Sequence, residues 1–130
     1  MTLLAPALEA FFIERLMSQK NASPHTIASY RDCLRLLLMF VHDTTGKAPS
    51  ALHIDDLDAA MIAAFLDHLE QHRGISVASR NTRLAAVRSL FRFAALRHPE
   101  HSAVIQRVLA IPAKQGDRAL VCFLTACEVD

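Results

Sequence analysis

Apolar residues recur at three- and four-residue intervals along most of this chain, and no stretch alternates apolar and polar with a period of two. That spacing lines one side of an α-helix and excludes a half-buried strand. It predicts helices over Leu8–Met17, Ile27–Val41, Met61–Leu69, Leu84–Leu96 and a short fifth at Val104–Leu109. Ser23-Pro24 puts a capping side chain before a proline at the first helical position, which opens the second helix. Asp56 or Asp58 is placed to cap the third, and the fourth opens near Val77 to Ser79. Gly46 and Gly74 mark the stops of helices two and three. The intervening "TTGKAPSALHIDDL" reads as a loop by its Gly, Pro and Ser content. The expected fold class is all-α, a compact bundle of four to five helices.

A chain of 130 residues with 52% hydrophobic content forms one domain and buries a real core without metals or disulfides. Its apolar runs are short, and "LLLMFV" at Leu36–Val41 is far below the roughly 20 residues needed to cross a bilayer. With no secretory leader at the N-terminus, a cytoplasmic protein is expected. Three cysteines, Cys33, Cys122 and Cys127, lack C-x-x-C spacing, so no disulfide framework, structural zinc site or other cofactor site is expected. Cys33 reads as a small core residue.

Charge is balanced in sum and lopsided in distribution. Lys and Arg number 14 against 13 Asp and Glu, for a net charge of +1. From Leu52 to His72 the chain carries Asp55, Asp56, Asp58, Asp67 and Glu70 and no Lys or Arg. From Arg73 to Arg97 it carries Arg73, Arg80, Arg83, Arg88, Arg92 and Arg97 and no acid. A solvated helix mixes signs, because i,i+4 pairs of opposite charge stabilise it. An all-basic fourth helix therefore needs an anionic partner elsewhere in the fold or outside it.

On a helical wheel Leu84, Val87, Leu90, Phe91 and Ala94 fall on one side of that helix and face the core. Asn81, Ala85, Arg88, Ser89 and Arg92 fall largely opposite, with Thr82 toward the edge. Such a small, polar, cationic face suits close approach to phosphates and to base edges in the major groove. The opening of the second helix supplies His25, Thr26, Ser29, Tyr30 and Arg31 behind Ser23. Its free amides favour anions. The bland alternative is that acids of neighbouring helices neutralise the arginines. A membrane surface fits less well, because the exposed face lacks lysines and a lipid-facing apolar stripe.

Other constellations carry little. His68 and His72 in "HLEQH" flank Glu70, but the glutamate is misplaced for an H-E-x-x-H zinc site, and they read as a solvated face. Phe11, Phe12, Phe40, Phe65, Phe91 and Phe93 lie on apolar stripes and read as core. His98, beside Pro99, reads as a helix-end residue.

The segments "ASPHTIASYRDCLRLLLMFV", "TGKAPSALHIDDLDAAMIAAFLDHLEQHRGISVASRNTRLAAVRSLFRFAALRHPE" and "VIQRVLAIPAK" resemble, in this order, the N-terminal core-binding domain of the tyrosine recombinases, the phage-integrase family. The similarity runs from Leu8 to Lys114. Its local marks are Ser23-Pro24-x-Thr26-x-x-x-Tyr30 and a fourth helix with Arg83-Leu84, Arg88 and Phe91, where Leu90 replaces an aromatic common in relatives.

The resemblance implies a SAM-like helical domain over residues 1–112, with 113–130 as a linker and the truncated start of a catalytic domain. It implies that double-stranded DNA is the partner, clamped by the second and fourth helices, with other recombinase protomers joining on DNA and neither a membrane nor a small-molecule substrate involved. The implied contacts are Ser23, His25, Thr26, Ser29, Tyr30 and Arg31 on the second helix and Arg80, Asn81, Thr82, Arg83, Ala86, Arg88 and Ser89 on the fourth. The arginines would then face the DNA backbone. The family's chemistry, attack of a tyrosine hydroxyl on a phosphodiester, resides in the C-terminal domain. The sole tyrosine, Tyr30, does not match the position of that nucleophile, so this chain alone is not expected to cut DNA. A protein-interaction or oligomerisation module is the competing class, and a helix-turn-helix regulator is disfavoured by the absence of a tight turn between paired helices.

Overall fold

The computed structural model describes residues 2–19 and 23–114. The residues named above as the start of a catalytic domain, with Cys122 and Cys127, lie outside that range. Among the described residues there are five α-helices: α1 (Leu4–Ala10), α2 (Pro24–Thr45), α3 (Ala59–His72), α4 (Val77–Arg97) and α5 (Ser102–Leu109). None is long and apolar enough to cross a membrane.

Local chemistry sets the helix ends. Ser23 Oγ accepts from the Thr26 amide at 3.1 Å, with Pro24 in the first turn of α2. Asp58, not Asp56, caps α3, accepting from the Met61 amide at 2.9 Å. Ser76 caps α4 through the Ser79 amide at 3.1 Å. Gly46 and Gly74 sit at φ of 78° and 63°, where a side chain would cost backbone energy, and they terminate α2 and the turn after α3.

Two segments depart from the sequence expectation. The first helix does not run with one pitch through Met17: α1 passes into a π-helical stretch, Phe11–Gln19. The wider π turn suits the five-residue spacing of Phe11 and Leu16, which are 0% and 2% exposed. The second departure is in the loop between α2 and α3. It contains two 3-10 turns, Pro49–Ala51 and Ile54–Asp56, and it buries Leu52, Ile54 and Leu57 completely or nearly so. Leu3 and His53 form an isolated antiparallel bridge, in which the Leu4 amide donates to Leu52 and the Ile54 amide to Thr2. The loop is therefore a wall of the core.

α4 is the central element, packed against α2, α3, α5 and the π stretch. It buries Leu84, Val87, Leu90, Phe91 and Ala94, as its wheel predicts, and also Ala86 and Phe93. Arg15 and Arg97 lie over the Phe93 ring with guanidinium carbons 5.5 and 5.4 Å from its centroid. Four of the six phenylalanines expected in the core are buried, Phe11, Phe65, Phe91 and Phe93, while Phe12 and Phe40 pack partly buried against it. His101 is buried between Asp55 Oδ1 and Thr2 Oγ1, each 2.9 Å from a ring nitrogen, and ties the start of the chain to α5.

Candidate nucleic-acid interface

α2 crosses α4 so that Ser29, Tyr30, Thr82, Arg83 and Ala86 line one cleft of about 180 Å³, together with Asp32 and Cys33. Five of the sequence-selected residues thus converge from two helices 50 positions apart. Ser29 and Thr82 are exposed, while Tyr30 and Arg83 are half-buried. Tyr30 is held by stacking on Phe11, with centroids 6.3 Å apart and planes within 6°. Arg83 Nε is buried and has no hydrogen-bond partner among the described residues. Arg80 Nε and Arg88 Nε are buried and unmatched in the same way, so what distinguishes Arg83 is its place in the cleft beside Ser29 and Thr82. Asp32 lines the same cleft, an acid that the charge-run argument did not weigh.

Cys33 forms the floor, where its thiol donates to the Arg83 carbonyl at 3.6 Å. Burial pushes the thiol up to about 11 from 9.0, against the smaller opposing pull of Arg83. It is an inert core group at neutral pH, as its helical context predicts.

The remaining selected residues lie elsewhere. Ser23, His25, Thr26 and Arg31 stand along the opening of α2, with His25 and Arg31 exposed. Ser23 Oγ also donates to Thr26 Oγ1 at 3.0 Å, so these two hydroxyls already serve the helix cap. Ser89 borders a different, larger cavity of about 410 Å³ with Arg15, Arg92 and Leu96.

Arg80, Asn81 and Arg88 are covered by the segment that follows α5. Arg80 is 6% exposed; its Nε lies 3.2 Å from Glu70 Oε1 and its Nη1 donates to the Pro112 carbonyl at 3.3 Å. Asn81 pairs with the backbone of Lys114, and Arg88 donates to the Ile111 carbonyl.

Two members of the arginine run have counter-charges inside the fold, as the alternative of neutralisation by neighbouring helices allows. Arg80 meets Glu70, and Arg97 meets Glu14. The physical reason is the central position of α4, whose flanks both touch neighbours. The acid-rich third helix supplies the first counter-charge. Ala86, at 2% exposed, is part of the core surface behind the cleft. The sequence allowed that acids of neighbouring helices meet the arginines, but no local pattern singles out Glu70 as the partner of Arg80.

The His68 and His72 rings pack tilted with centroids 5.0 Å apart, and the Phe40 ring lies 5.1 Å from that of His68. Among the described residues no group of three His, Cys, Asp or Glu is arranged to hold a metal.

Comparison with known proteins bears on this geometry. The family described as phage integrase, N-terminal SAM-like domain, matches residues 10–98. A candidate integrase/recombinase of Sinorhizobium fredii, y4rC, is 60% identical over 127 residues, covering 98% of this chain and 38% of that protein. A second from the same organism, y4rD, is 48% identical over 128 residues, covering 98% of this chain and 46% of that protein. The tyrosine recombinase XerC of Rhodospirillum centenum is 34% identical over 116 residues, 82% of this chain and 33% of the relative. The chain thus spans less than half the length of these curated relatives. No solved structure matches it. An all-α bundle, with the matched segment running from the end of α1 to the end of α4, places this chain in the phage integrase family by its N-terminal SAM-like domain.

Proposed function

We propose that this chain is the DNA-clamping domain of a site-specific recombinase, with the cleft between α2 and α4 seated on the phosphate backbone of duplex DNA. The observation that carries the reading is the convergence of Ser29, Tyr30, Thr82 and Arg83 from two helices on one cleft. Hydroxyls and a guanidinium are the groups that position a protein on phosphate oxygens. The exposed His25 and Arg31 extend the same face along the opening of α2, beside the cap formed by Ser23 and Thr26. The names of the relatives, integrase/recombinase and tyrosine recombinase, agree with a DNA partner.

Strand cleavage and joining belong, in this reading, to a separate catalytic domain, with residues 113–130 as the link to it. The domain reads the site and holds it while chemistry happens elsewhere. Further protomers on the same DNA complete the assembly.

The test is fluorescence anisotropy of the chain with a labelled duplex of about 30 base pairs, roughly three helical turns, at two salt concentrations. Binding that weakens steeply with salt is expected, because phosphate contacts release counterions. Absence of binding at low salt, with a concentration-dependent dimer on size exclusion, assigns the exposed surface to protein partners instead.

A further inference from the structure

The polar side of α4 is divided between two uses. Thr82 and Arg83 border the open cleft, whereas Arg80, Asn81 and Arg88 are engaged by residues 111–114. That segment has no regular structure, so its backbone groups need partners from elsewhere. The Ile111 amide closes the last turn of α5 on the Val108 carbonyl at 3.1 Å, and Pro112 has no amide to satisfy. Four of the remaining backbone groups turn to α4. Arg88 takes the Ile111 carbonyl and Arg80 the Pro112 carbonyl. Asn81 takes both polar groups of Lys114, donating to its carbonyl at 2.8 Å and accepting from its amide at 3.0 Å.

We propose that Arg80, Asn81 and Arg88 are positioning residues that clasp the segment after α5 against α4 and fix the direction in which the chain leaves the bundle, so that their hydrogen bonds serve this clasp and not DNA. Asn81 and Arg88 are seven residues apart, two turns along one side of the helix, which matches an extended segment laid beside it. Glu70 closes the clasp from α3. Its Oε2 holds Lys114 Nζ at 3.1 Å while its Oε1 faces Arg80. Ile111 anchors the other end, half-buried against the core.

Two arguments remove Arg80 and Asn81 from a DNA interface. Arg80 is nearly buried and its charge is already met by Glu70, so it adds little attraction toward phosphate. Asn81 spends a donor and an acceptor together on the backbone of one residue, Lys114, the same bidentate pair of groups with which an asparagine reads an adenine edge. It cannot hold both partners at once. The clasp stands on these contacts whether or not the cleft binds DNA.

Residue-resolved amide exchange by NMR on the 130-residue chain tests the assignment. The Lys114 amide is expected to exchange about tenfold more slowly than in an unstructured peptide, the scale of a partly exposed hydrogen bond. Asn81→Leu removes the acceptor and returns Lys114 to the peptide rate, while amides inside α4 such as Val87 and Phe91 keep theirs. Asn81→Asp keeps an oxygen acceptor at the same place and retains the protection, a rescue that a mere packing role does not give. Peptide-rate exchange at Lys114 in the unmodified chain, or protection that survives Asn81→Leu, overturns the clasp.

A second arm adds the duplex used above. Lys114 protection that persists in the DNA complex supports the clasp, and protection lost on DNA binding hands Asn81 to the DNA and overturns it. If no duplex binds, the DNA reading fails, and exchange in the free chain still decides the clasp.

Discussion

Arg80 on α4 and Glu70 on α3 face each other at 3.2 Å, with Arg80 almost wholly buried and Glu70 reaching out to Lys114. Neither Arg80 Nε nor Glu70 Oε1 is aligned for a hydrogen bond, so their contact is an ion pair whose directional bonds run to other partners. The pair therefore joins three pieces of chain: α3, α4 and the segment after α5. It also explains how a helix without acids tolerates a buried arginine. The counter-charge comes from the adjacent acidic helix, inside the protein.

Arg80→Ala leaves Glu70 without its inner partner and the Pro112 carbonyl without a donor. Removing one member of a largely buried pair costs more than the pair is worth intact. We expect a loss of about 2 kcal/mol, seen as a fall of roughly 6 °C in Tm by thermal unfolding. Arg80→Met, which keeps the stem's packing, should lose less. An unchanged Tm for Arg80→Ala would mean that water replaces the guanidinium at no cost.

The loop before α3 gives a second expectation. Leu57 is fully buried although it lies outside any α-helix. Leu57→Ala should cost about 3 kcal/mol, the scale of a core helix position, because the cavity term depends on burial and not on secondary structure. Denaturant unfolding of Leu57→Ala beside Leu84→Ala, buried equally on α4, measures it. A cost below 1 kcal/mol, typical of a surface loop, would contradict the packing.

What the sequence made legible follows the range of the interactions involved. Caps and stops are local, so Ser23, Asp58, Gly46 and Gly74 act where their residue types indicate. The inner face of α4 follows from period alone. The π stretch does not, because Phe11 and Leu16 signal it only by a five-residue spacing that an α-helical wheel treats as noise. Leu52, Ile54 and Leu57 were hidden by turn-forming neighbours, which report backbone shape and not burial. At the candidate site, residue types singled out Ser29, Tyr30, Thr82 and Arg83, but their convergence depends on how α2 crosses α4. Arg80 with Glu70 and Asn81 with Lys114 were invisible for the same reason. They join positions whose proximity is created by the fold.

Cys33 makes stability depend on alkaline pH. Its thiol is held at about 11 in the folded chain, chiefly by burial, against 9.0 as the unperturbed value. The unfolded chain thus releases this proton first, so stability is full below about pH 9 and falls as pH rises toward about 11. The loss is on the order of 2 kcal/mol. Other groups titrate in that range, so the readout is a difference. Cys33→Ala should lose less stability between pH 8 and pH 11 than the unmodified chain, by urea unfolding at each pH, and equal losses would place the thiol in contact with water.

Arg83 separates the DNA reading from its rivals. Its half-buried side chain borders the cleft with Ser29, Tyr30 and Thr82. Truncation to alanine leaves no acid unpaired among the described residues, so Tm should change little. Duplex affinity should fall about fivefold to tenfold at low salt, and the slope of log affinity against log salt should shrink by about 0.9, one phosphate contact. Asn81→Leu, whose hydrogen bonds are spent on Lys114, should leave both quantities unchanged. That contrast is the informative one, because both residues sit within one turn of α4 and differ only in what already occupies them. If Asn81→Leu lowers affinity and Arg83→Ala does not, the DNA lies over the side of α4 that residues 111–114 cover, and the cleft between α2 and α4 is not its seat.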